Sequence, residues 1–268
     1  SIFGDYMRIP EMFANFKTKT IIFSGECYRG RTNDHIDIAN IGYDLSIGYD
    51  NFPNLKSHIK LPLWYINIDW FRVRHPQSMG DPDLVPIEWF DREPTRFKDY
   101  QKREQFCIFI SCNDKCSHRN NLFNELHKVK HVDSAGSLYK NITIPNENKN
   151  SIRKYNNKVE FARNYRFMLC PENASYEGYC SEKILHAFAS GCVPIYWGDK
   201  TAIEDFNENA FINANSKSIQ EVIEEVVRIE NDHELWQKMV SQPVFNEGVN
   251  EKYKKELIRG FSTLYQDL

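Results

Sequence analysis

The second half of the chain alternates short apolar runs with amphipathic segments, and this alternation constrains the fold more than any other feature of the sequence. The apolar runs have the length of buried strands and lie at 106–111, 130–133, 165–170 and 193–196. Apolar residues also recur at helical spacing over 118–130 and 181–190. Because helices connect neighbouring strands of a parallel sheet, the pattern predicts an α/β fold in which helices cover a parallel sheet.

The remaining segments are less regular. Residues 20–24 predict a buried strand that ends at Gly25, and residues 40–49 predict a second short strand. The Asn- and Lys-rich stretch 144–158 is predicted to be a polar loop. Three helices are predicted near the C-terminus, at 219–230, 233–240 and 251–264.

A proline-rich region suggests where the chain divides. Four of the eleven prolines lie in residues 75–105, together with many charged side chains. Such a composition is typical of an interdomain connection. We therefore predict a first domain over 1–95, a second over 96–250, and a C-terminal helix over 251–268 that packs back on the first domain.

Composition excludes several classes of protein. Acidic residues outnumber basic ones by 37 to 34, which excludes the basic field of a nucleic-acid-binding protein. No apolar run approaches the roughly 20 residues that span a bilayer, and no signal-peptide pattern is visible. The odd count of seven cysteines favours free thiols in a reducing compartment. These features predict a globular, cytoplasmic protein without a membrane segment.

The most informative segment runs from Tyr165 to Lys200. A predicted strand ends in Pro171-Glu172-Asn173, and a helix is predicted to begin at Ser181-Glu182-Lys183 after a polar loop. Ligands of α/β proteins bind beyond the carboxyl ends of strands, where helix N-termini attract phosphate. Lys183 opposes the helix dipole, so an anionic ligand between it and the helix end is one interpretation. A capped surface helix with solvated Glu182 and Lys183 is the other.

This segment resembles the signature of the α-1,3-fucosyltransferases, glycosyltransferase family ten. The family pattern is a strand ending in Phe-Glu-Asn, a variable loop, Tyr, a Thr-Glu-Lys helix start and a Gly-x-x-Pro strand. Upstream, similar elements include a strand followed by Arg, a Gly-Glu turn and an Asp-x-x-Ile-Gly-x-Asp strand. The matching positions are Glu172-Asn173, Tyr179, Glu182-Lys183, Gly191 to Gly198, Asn113, Arg119, Gly25-Glu26 and Asp44 to Asp50.

The resemblance implies a GT-B architecture of two facing Rossmann-like domains, the N-terminal one incomplete because Ile2-Phe3 resembles the end of a later strand. It also implies inverting transfer of L-fucose from GDP-fucose to a hydroxyl of an N-acetylglucosamine- or glucose-containing glycan, with α-1,3 linkage. Inversion needs one base to take the proton of the acceptor hydroxyl. Glu26 is the candidate base.

The other implied roles concern the donor. Arg119 and Lys183 would neutralise the diphosphate of the leaving GDP, Glu182 would bind the ribose, and Asn173 and Tyr179 would contact the nucleotide. Asn113 is a further candidate for the same cleft. No cofactor or catalytic metal is implied, and Asp81-Pro82-Asp83 is interpreted as a chance match to a metal-binding pattern.

Two alternatives stay open at this point. The chain could use another nucleotide sugar on the same architecture, or it could be an inactive protein that binds nucleotides or glycans. The acceptor, the choice between the 3- and the 4-hydroxyl and the oligomeric state do not follow from the sequence. For the predicted cytoplasmic location, the surface of the cytoplasmic membrane and, in a eukaryote, the Golgi lumen are the alternatives.

Overall fold

The structure is a computed structural model that describes residues 19–23, 25, 43–52, 54–70, 84–92, 103–145 and 154–265. The candidate base Glu26 lies outside these residues, as do Ile2-Phe3, Asp81 and Asp83. The chain groups into two compact units, one within Ser1–Leu63 and Glu247–Leu268, the other within Trp64–Asn246. The domain boundary that the sequence suggested near residue 95 remains a prediction.

The first unit contains a three-stranded parallel sheet in the order β1–β2–β3. Its strands are β1 (Ile21–Phe23), β2 (Leu45–Gly48) and β3 (His58–Lys60).

The second unit is built on a five-stranded parallel sheet, with a separate two-stranded parallel pair, β4 (Ile68–Asp69) and β5 (Val85–Pro86). The strands of the larger sheet are β6 (Gln105–Phe109), β7 (Val132–Ser134), β8 (Tyr165–Leu169), β9 (Val193–Tyr196) and β10 (Ile212–Asn213). Their order is β10–β9–β8–β6–β7. β8 and β6 are central, and their side chains are almost all buried because helices cover both faces of such a sheet.

Six α-helices are described. They are α1 (Ser117–Val129), α2 (Lys154–Ala162), α3 (Glu182–Ser190), α4 (Ile219–Asn231), α5 (His233–Val240) and α6 (Val249–Tyr265). Among them, none combines the length and apolar character that a membrane span requires.

Local sequence explains where the helices begin and end. At the start of α4, Ser218 and Glu221 form a capping box, in which each side chain accepts from the other's backbone N–H. At the end of α3, Gly191 has a φ of 73°, the left-handed conformation that closes many helices. Helix α6 packs on β3 within the first unit: Arg259 donates to the carbonyl of His58.

The parallel strands and the helices confirm the predicted α/β class.

One predicted loop is wrong. The region 144–158 was expected to be a polar loop, but α2 begins at Lys154. Its apolar residues, Val159 and Ala162, are buried at helical spacing. The abundant Asn and Lys around them obscure this short apolar stripe, because polar composition and helical periodicity conflict there.

Aromatic side chains in the Leu61–Trp70 region belong largely to the core. Trp64 is fully buried and Tyr65 is 4% exposed. In the second unit, Trp64 packs against Phe206 and Phe245, and its indole N–H donates to Asp205. These contacts place Trp64 and Tyr65 in the core of the second unit.

Candidate active site

The carboxyl ends of β6 and β8 bring two helix N-termini to one edge of the sheet. Helix α1 follows β6 through residues 110–116, and α3 follows β8 through residues 170–181. The last residues of the two strands, Phe109 and Leu169, lie side by side in the parallel register. This is the position where α/β proteins bind ligands, and every described candidate residue lies around it.

Glu172 organises the N-terminus of α3. Its carboxylate is fully buried and accepts the backbone N–H of Ser181 at 2.7 Å. The Ser181 hydroxyl lies 2.8 Å from both carboxylate oxygens, and the Lys183 ammonium donates at 2.7 Å. Ser181 therefore occupies the N-cap position without its hydroxyl capping the helix, since the hydroxyl is directed to Glu172.

The two sequence interpretations of Lys183 are both modified by this ion pair. Lys183 is neither an isolated cation that waits for an anion nor a solvated surface residue, because its side chain is 21% exposed and contacts Glu172. Burial lowers the pKa of Lys183, but the carboxylates of Glu172 and Glu182 outweigh burial and leave its pKa above the ordinary value. The ammonium is therefore a permanent positive charge at the site.

Hydrogen bonds to Asp199 and its neighbour Gly198 fix the loop between β8 and α3. The Asp199 carboxylate accepts the backbone N–H of Gly178 at 2.8 Å, and Ser175 donates to the carbonyl of Gly198. Gly178 has a φ of 83°, which glycine adopts without strain. Tyr179, the next residue in this loop, is buried.

Arg119, in the first turn of α1, joins the two strand ends. Its guanidinium donates to the Asn173 side-chain oxygen at 2.7 Å and to the backbone carbonyl of Asn113. Arg119 is fully buried, and its Nε has no hydrogen-bond partner among the residues that the structure describes. Burial lowers the pKa of Arg119, although an arginine stays charged in proteins.

A cleft of about 450 Å³, including its open mouth, lies beside this cluster. Lys183 and Glu182 line it from α3, together with His186 one turn further along, and Lys158 lines it from α2. Burial raises the pKa of Glu182, but the charge of Lys183, the neighbouring His186 and hydrogen bonds together outweigh burial, so the net pKa is lowered and the carboxylate is ionised. Burial lowers the pKa of His186 to about 4, so its imidazole is neutral at physiological pH.

An aromatic pair borders the same strand ends. The rings of His118 and Trp197 stack with centroids 4.3 Å apart and an interplanar angle of 18°. His118 belongs to the first turn of α1, and Trp197 follows β9 directly. Burial lowers the pKa of His118, so this pair is an uncharged surface beside the charged cluster.

The structure brings six of the seven predicted site residues to this edge, namely Asn113, Arg119, Asn173, Tyr179, Glu182 and Lys183. Sequence reasoning missed His186, Lys158 and the structural role of Glu172. The sequence signals were the place of Glu172 in the Glu-Asn motif and the i, i+4 spacing of Glu182 and His186. Within the described ranges, no three His, Cys, Asp or Glu side chains form a metal-binding group, and all six described cysteines are free.

The comparisons with known proteins agree with this geometry. The chain is 27% identical over 203 residues to an alpha-(1,3)-fucosyltransferase of Helicobacter pylori, which covers 68% of this chain and 40% of that protein. It is 34% identical over 110 residues to an alpha-(1,4)-fucosyltransferase of Arabidopsis thaliana, covering 40% and 26% respectively. A GDP-fucose protein O-fucosyltransferase 3 of Homo sapiens is 27% identical over 157 residues, covering 57% and 33%. The chain thus spans less than half the length of these relatives.

Solved structures show the same fold. A crystal structure of an alpha1,3-fucosyltransferase aligns with a TM-score of 0.72 and 22% identity, covering 100% of this chain and 77% of that one. A complex of alpha1,3-fucosyltransferase with GDP-fucose aligns with a TM-score of 0.67 and 23% identity, covering 95% and 77%. The predicted GT-B fold is confirmed by these similarities.

The family is settled by the sequence of the second unit. Residues 100–241, more than half of the chain, match the family described as "Glycosyltransferase family 10 (fucosyltransferase) C-term". This match confirms the resemblance inferred from the Glu-Asn, Tyr and Glu-Lys motifs. The chain therefore belongs to glycosyltransferase family 10, the fucosyltransferases.

Proposed function

We propose that this chain transfers L-fucose from GDP-fucose to a hydroxyl of an N-acetylglucosamine- or glucose-containing glycan, by an inverting mechanism and with α-1,3 linkage. The observation that supports the proposal most is the fixed ammonium of Lys183 at the N-terminus of α3, beside a cleft lined by the ionised Glu182. A cation and a helix N-terminus suit a diphosphate, and a carboxylate suits ribose hydroxyls. Membership of family 10 makes GDP-fucose the donor to test first.

In the proposed complex, the diphosphate lies against the start of α3. Lys183 contributes its charge, and the backbone N–H groups of the first helical turn contribute the positive end of the dipole. The nucleoside extends into the cleft, where the Glu182 carboxylate accepts hydrogen bonds from the ribose. Tyr179 and Asn173 flank the diphosphate from the loop before α3.

Arg119 acts from behind Asn173 in this proposal. One N–H on each of the two nitrogens at its tip is engaged, by the Asn173 side chain and by the Asn113 carbonyl. Arg119 thereby orients Asn173 and contributes a buried positive charge near the leaving group. The buried charge is effective because the surrounding dielectric is low.

The proposed reaction is a single in-line displacement. The acceptor oxygen forms a bond to the anomeric carbon of fucose while the bond from that carbon to the GDP oxygen breaks. The acceptor proton passes to the carboxylate of Glu26, which the resemblance assigns as base, and GDP leaves with an additional negative charge. Lys183, Arg119 and the helix dipole stabilise that charge, so the scheme involves no metal ion.

The acceptor class needs a test of its own, with a panel of acceptors. The names of the relatives include enzymes of 1,3-linkage, enzymes of 1,4-linkage and a protein O-fucosyltransferase. An acceptor panel therefore has to contain N-acetyllactosamine-type glycans, glucose-containing glycans and a peptide.

A donor panel tests the proposal. GDP-fucose, GDP-mannose and UDP-sugars are compared in thermal-shift and transfer assays with the wild-type chain and the Lys183→Ala variant. GDP-fucose is expected to stabilise the wild type most and to be the substrate, with the effect lost in Lys183→Ala and retained in the surface control Lys238→Ala. Turnover of a UDP-sugar but not of GDP-fucose would overturn the proposed donor, and GDP binding without any transfer would favour the inactive alternative.

A further inference from the structure

The contact between Glu172 and Lys183 differs from an ordinary surface ion pair. Glu172 is completely buried, whereas Lys183 is 21% exposed and lines the cleft. Lys183 lines the cleft and Glu172 does not, so the carboxylate contacts the ammonium from within the protein. Lys183 also donates to the Ser181 hydroxyl at 2.8 Å, so two partners fix the position of its tip.

Charged and titratable groups face Lys183 from every element around it. They are Glu172 after β8, Tyr179 in the following loop, Glu182 and His186 on α3, and Lys158 on α2. Of these, Glu172 accepts a hydrogen bond from the ammonium at 2.7 Å and carries the opposite charge. His186 is neutral above a pH of about 4, and Lys158 repels a second cation.

We propose that Glu172 is a positioning residue that holds the Lys183 ammonium charged and aimed into the cleft before a nucleoside diphosphate binds. The identity of that ligand rests on the proposed function above. An ammonium that loses water on one side is costly to keep ionised unless a carboxylate compensates it. Glu172 supplies that compensation from within the protein, so that binding of the donor does not require the uptake of a proton.

A purely structural role for Glu172 leads to different expectations. If Glu172 served only to satisfy the backbone N–H and hydroxyl of Ser181, glutamine would replace it, since the amide oxygen accepts the same hydrogen bonds. If it serves to keep Lys183 charged, glutamine cannot replace it. The Glu172→Gln substitution therefore separates the two roles, and Ser181→Ala removes the hydroxyl contacts while the charge stays in place.

The first measurement needs no ligand. Lysine side chains labelled with ¹³C at Cε are titrated by NMR in the wild type, Glu172→Gln and Ser181→Ala. We expect the pKa of Lys183 to fall by about 1–3 units in Glu172→Gln, because the opposite charge is lost, and to change far less in Ser181→Ala. An unchanged pKa of Lys183 in a folded Glu172→Gln protein would overturn the proposal.

The second measurement uses GDP as the probe in calorimetry at several pH values. In Glu172→Gln, GDP affinity is expected to fall about tenfold for each pH unit above the new pKa of Lys183, with uptake of one proton on binding. The wild type should show neither effect at the pH values at which the variant shows both, because the pKa of its Lys183 is higher. If the wild type fails to bind GDP while the pKa of Lys183 still falls in Glu172→Gln, the charge partnership stands and the proposed function fails.

A double-mutant cycle covers the case in which Glu172→Gln does not fold. Lys183→Met leaves Glu172 as an uncompensated buried charge, whereas Glu172→Gln/Lys183→Met removes both charges. We expect the double variant to unfold at a higher temperature than Lys183→Met. A double variant that unfolds at the same or a lower temperature would contradict the charge partnership.

Discussion

Gly198 lies so close to Glu172 that a Cβ atom at position 198 would be 2.4 Å from Cγ of the glutamate. The backbone N–H of Glu172 also donates to the carbonyl of Trp197 at 2.7 Å, next to that glycine. The end of β9 is thus shaped to admit the buried carboxylate that organises α3. This close approach explains why the Gly-x-x-Pro strand of the family signature ends in glycine here.

Replacing Gly198 by alanine should therefore disturb the donor site. The added methyl group would force Glu172 from its position, at a cost of about 1–3 kcal/mol in the free energy of unfolding. Because Glu172 holds Lys183, GDP affinity should fall as well. Urea unfolding and calorimetry measure the two effects.

Gly248→Ala is a suitable control for this change. Gly248 has a φ of 79° but nothing lies within 4 Å of a Cβ there, so alanine costs about 1–2 kcal/mol through the left-handed backbone alone. GDP affinity should be unchanged in this control. Equal GDP affinity in Gly198→Ala and the wild type would show that the Glu172 position is not needed for the donor.

Arg119→Lys should weaken both stability and donor binding. A lysine can reach only one of the two acceptors that the guanidinium joins, the Asn173 side chain or the Asn113 carbonyl. The loss of a buried, charged hydrogen bond costs about 2–3 kcal/mol. Chemical unfolding and the dissociation constant of GDP provide the readouts.

Arg166→Lys provides the comparison, since Arg166 pairs with Glu230 and is 25% exposed. It should lose little stability and no GDP affinity. If Arg119→Lys and Arg166→Lys give the same stability and the same GDP affinity, Arg119 has no role in the donor site.

Because His186 is buried, we predict that the protein loses stability in mild acid. Its pKa is about 4 in the folded chain against an ordinary value of 6.5, because burial disfavours the charged imidazole. As pH falls below 6.5, the unfolded chain takes up a proton before the folded one does. Up to about 3 kcal/mol is therefore lost between pH 6.5 and pH 4.

Thermal or urea unfolding across this pH range measures the effect. His186→Gln should flatten the slope of stability against pH, whereas His131→Gln should leave it unchanged, because the His131 side chain is 64% exposed. The neighbours Glu182, Lys183 and Lys158 stay in place in both variants. If stability falls with pH equally in His186→Gln and the wild type, the imidazole of His186 is not buried in its neutral form.

Glu26→Gln should abolish transfer while GDP binding stays within a few fold of the wild type. Glutamine keeps the shape of the side chain but cannot accept the acceptor proton. General-base catalysis contributes roughly 10²–10⁴-fold, so the rate constant of transfer should fall by at least about 100-fold. Glu125→Gln, an exposed change on α1, serves as the control, and normal turnover of Glu26→Gln would assign the base elsewhere.

Most of the second unit could be predicted from the sequence because its signals agree with one another. The apolar runs before Pro171 and Gly198 have the length of buried strands, and SEKILHAFAS shows helical spacing ended by a glycine. Where signals conflict, prediction fails, as in α2, whose apolar stripe is embedded in a polar composition.

The candidate site was predictable only in part. Residue types and motif spacing placed Lys183 and Glu182 at a ligand edge. They did not reveal that Glu172 is buried behind Lys183, because burial depends on how Gly198 and the strand β9 pack against the loop. The same holds for His186, whose position at the cleft depends on the orientation of α3.

The most direct test of the account is a transfer assay with GDP-fucose and the acceptor panel, with products analysed by mass spectrometry and NMR. We predict a product heavier by one deoxyhexose residue, with the anomeric configuration inverted relative to the donor, and a loss of product in Lys183→Ala. Formation of a product from another nucleotide sugar, with none from GDP-fucose, would contradict the account.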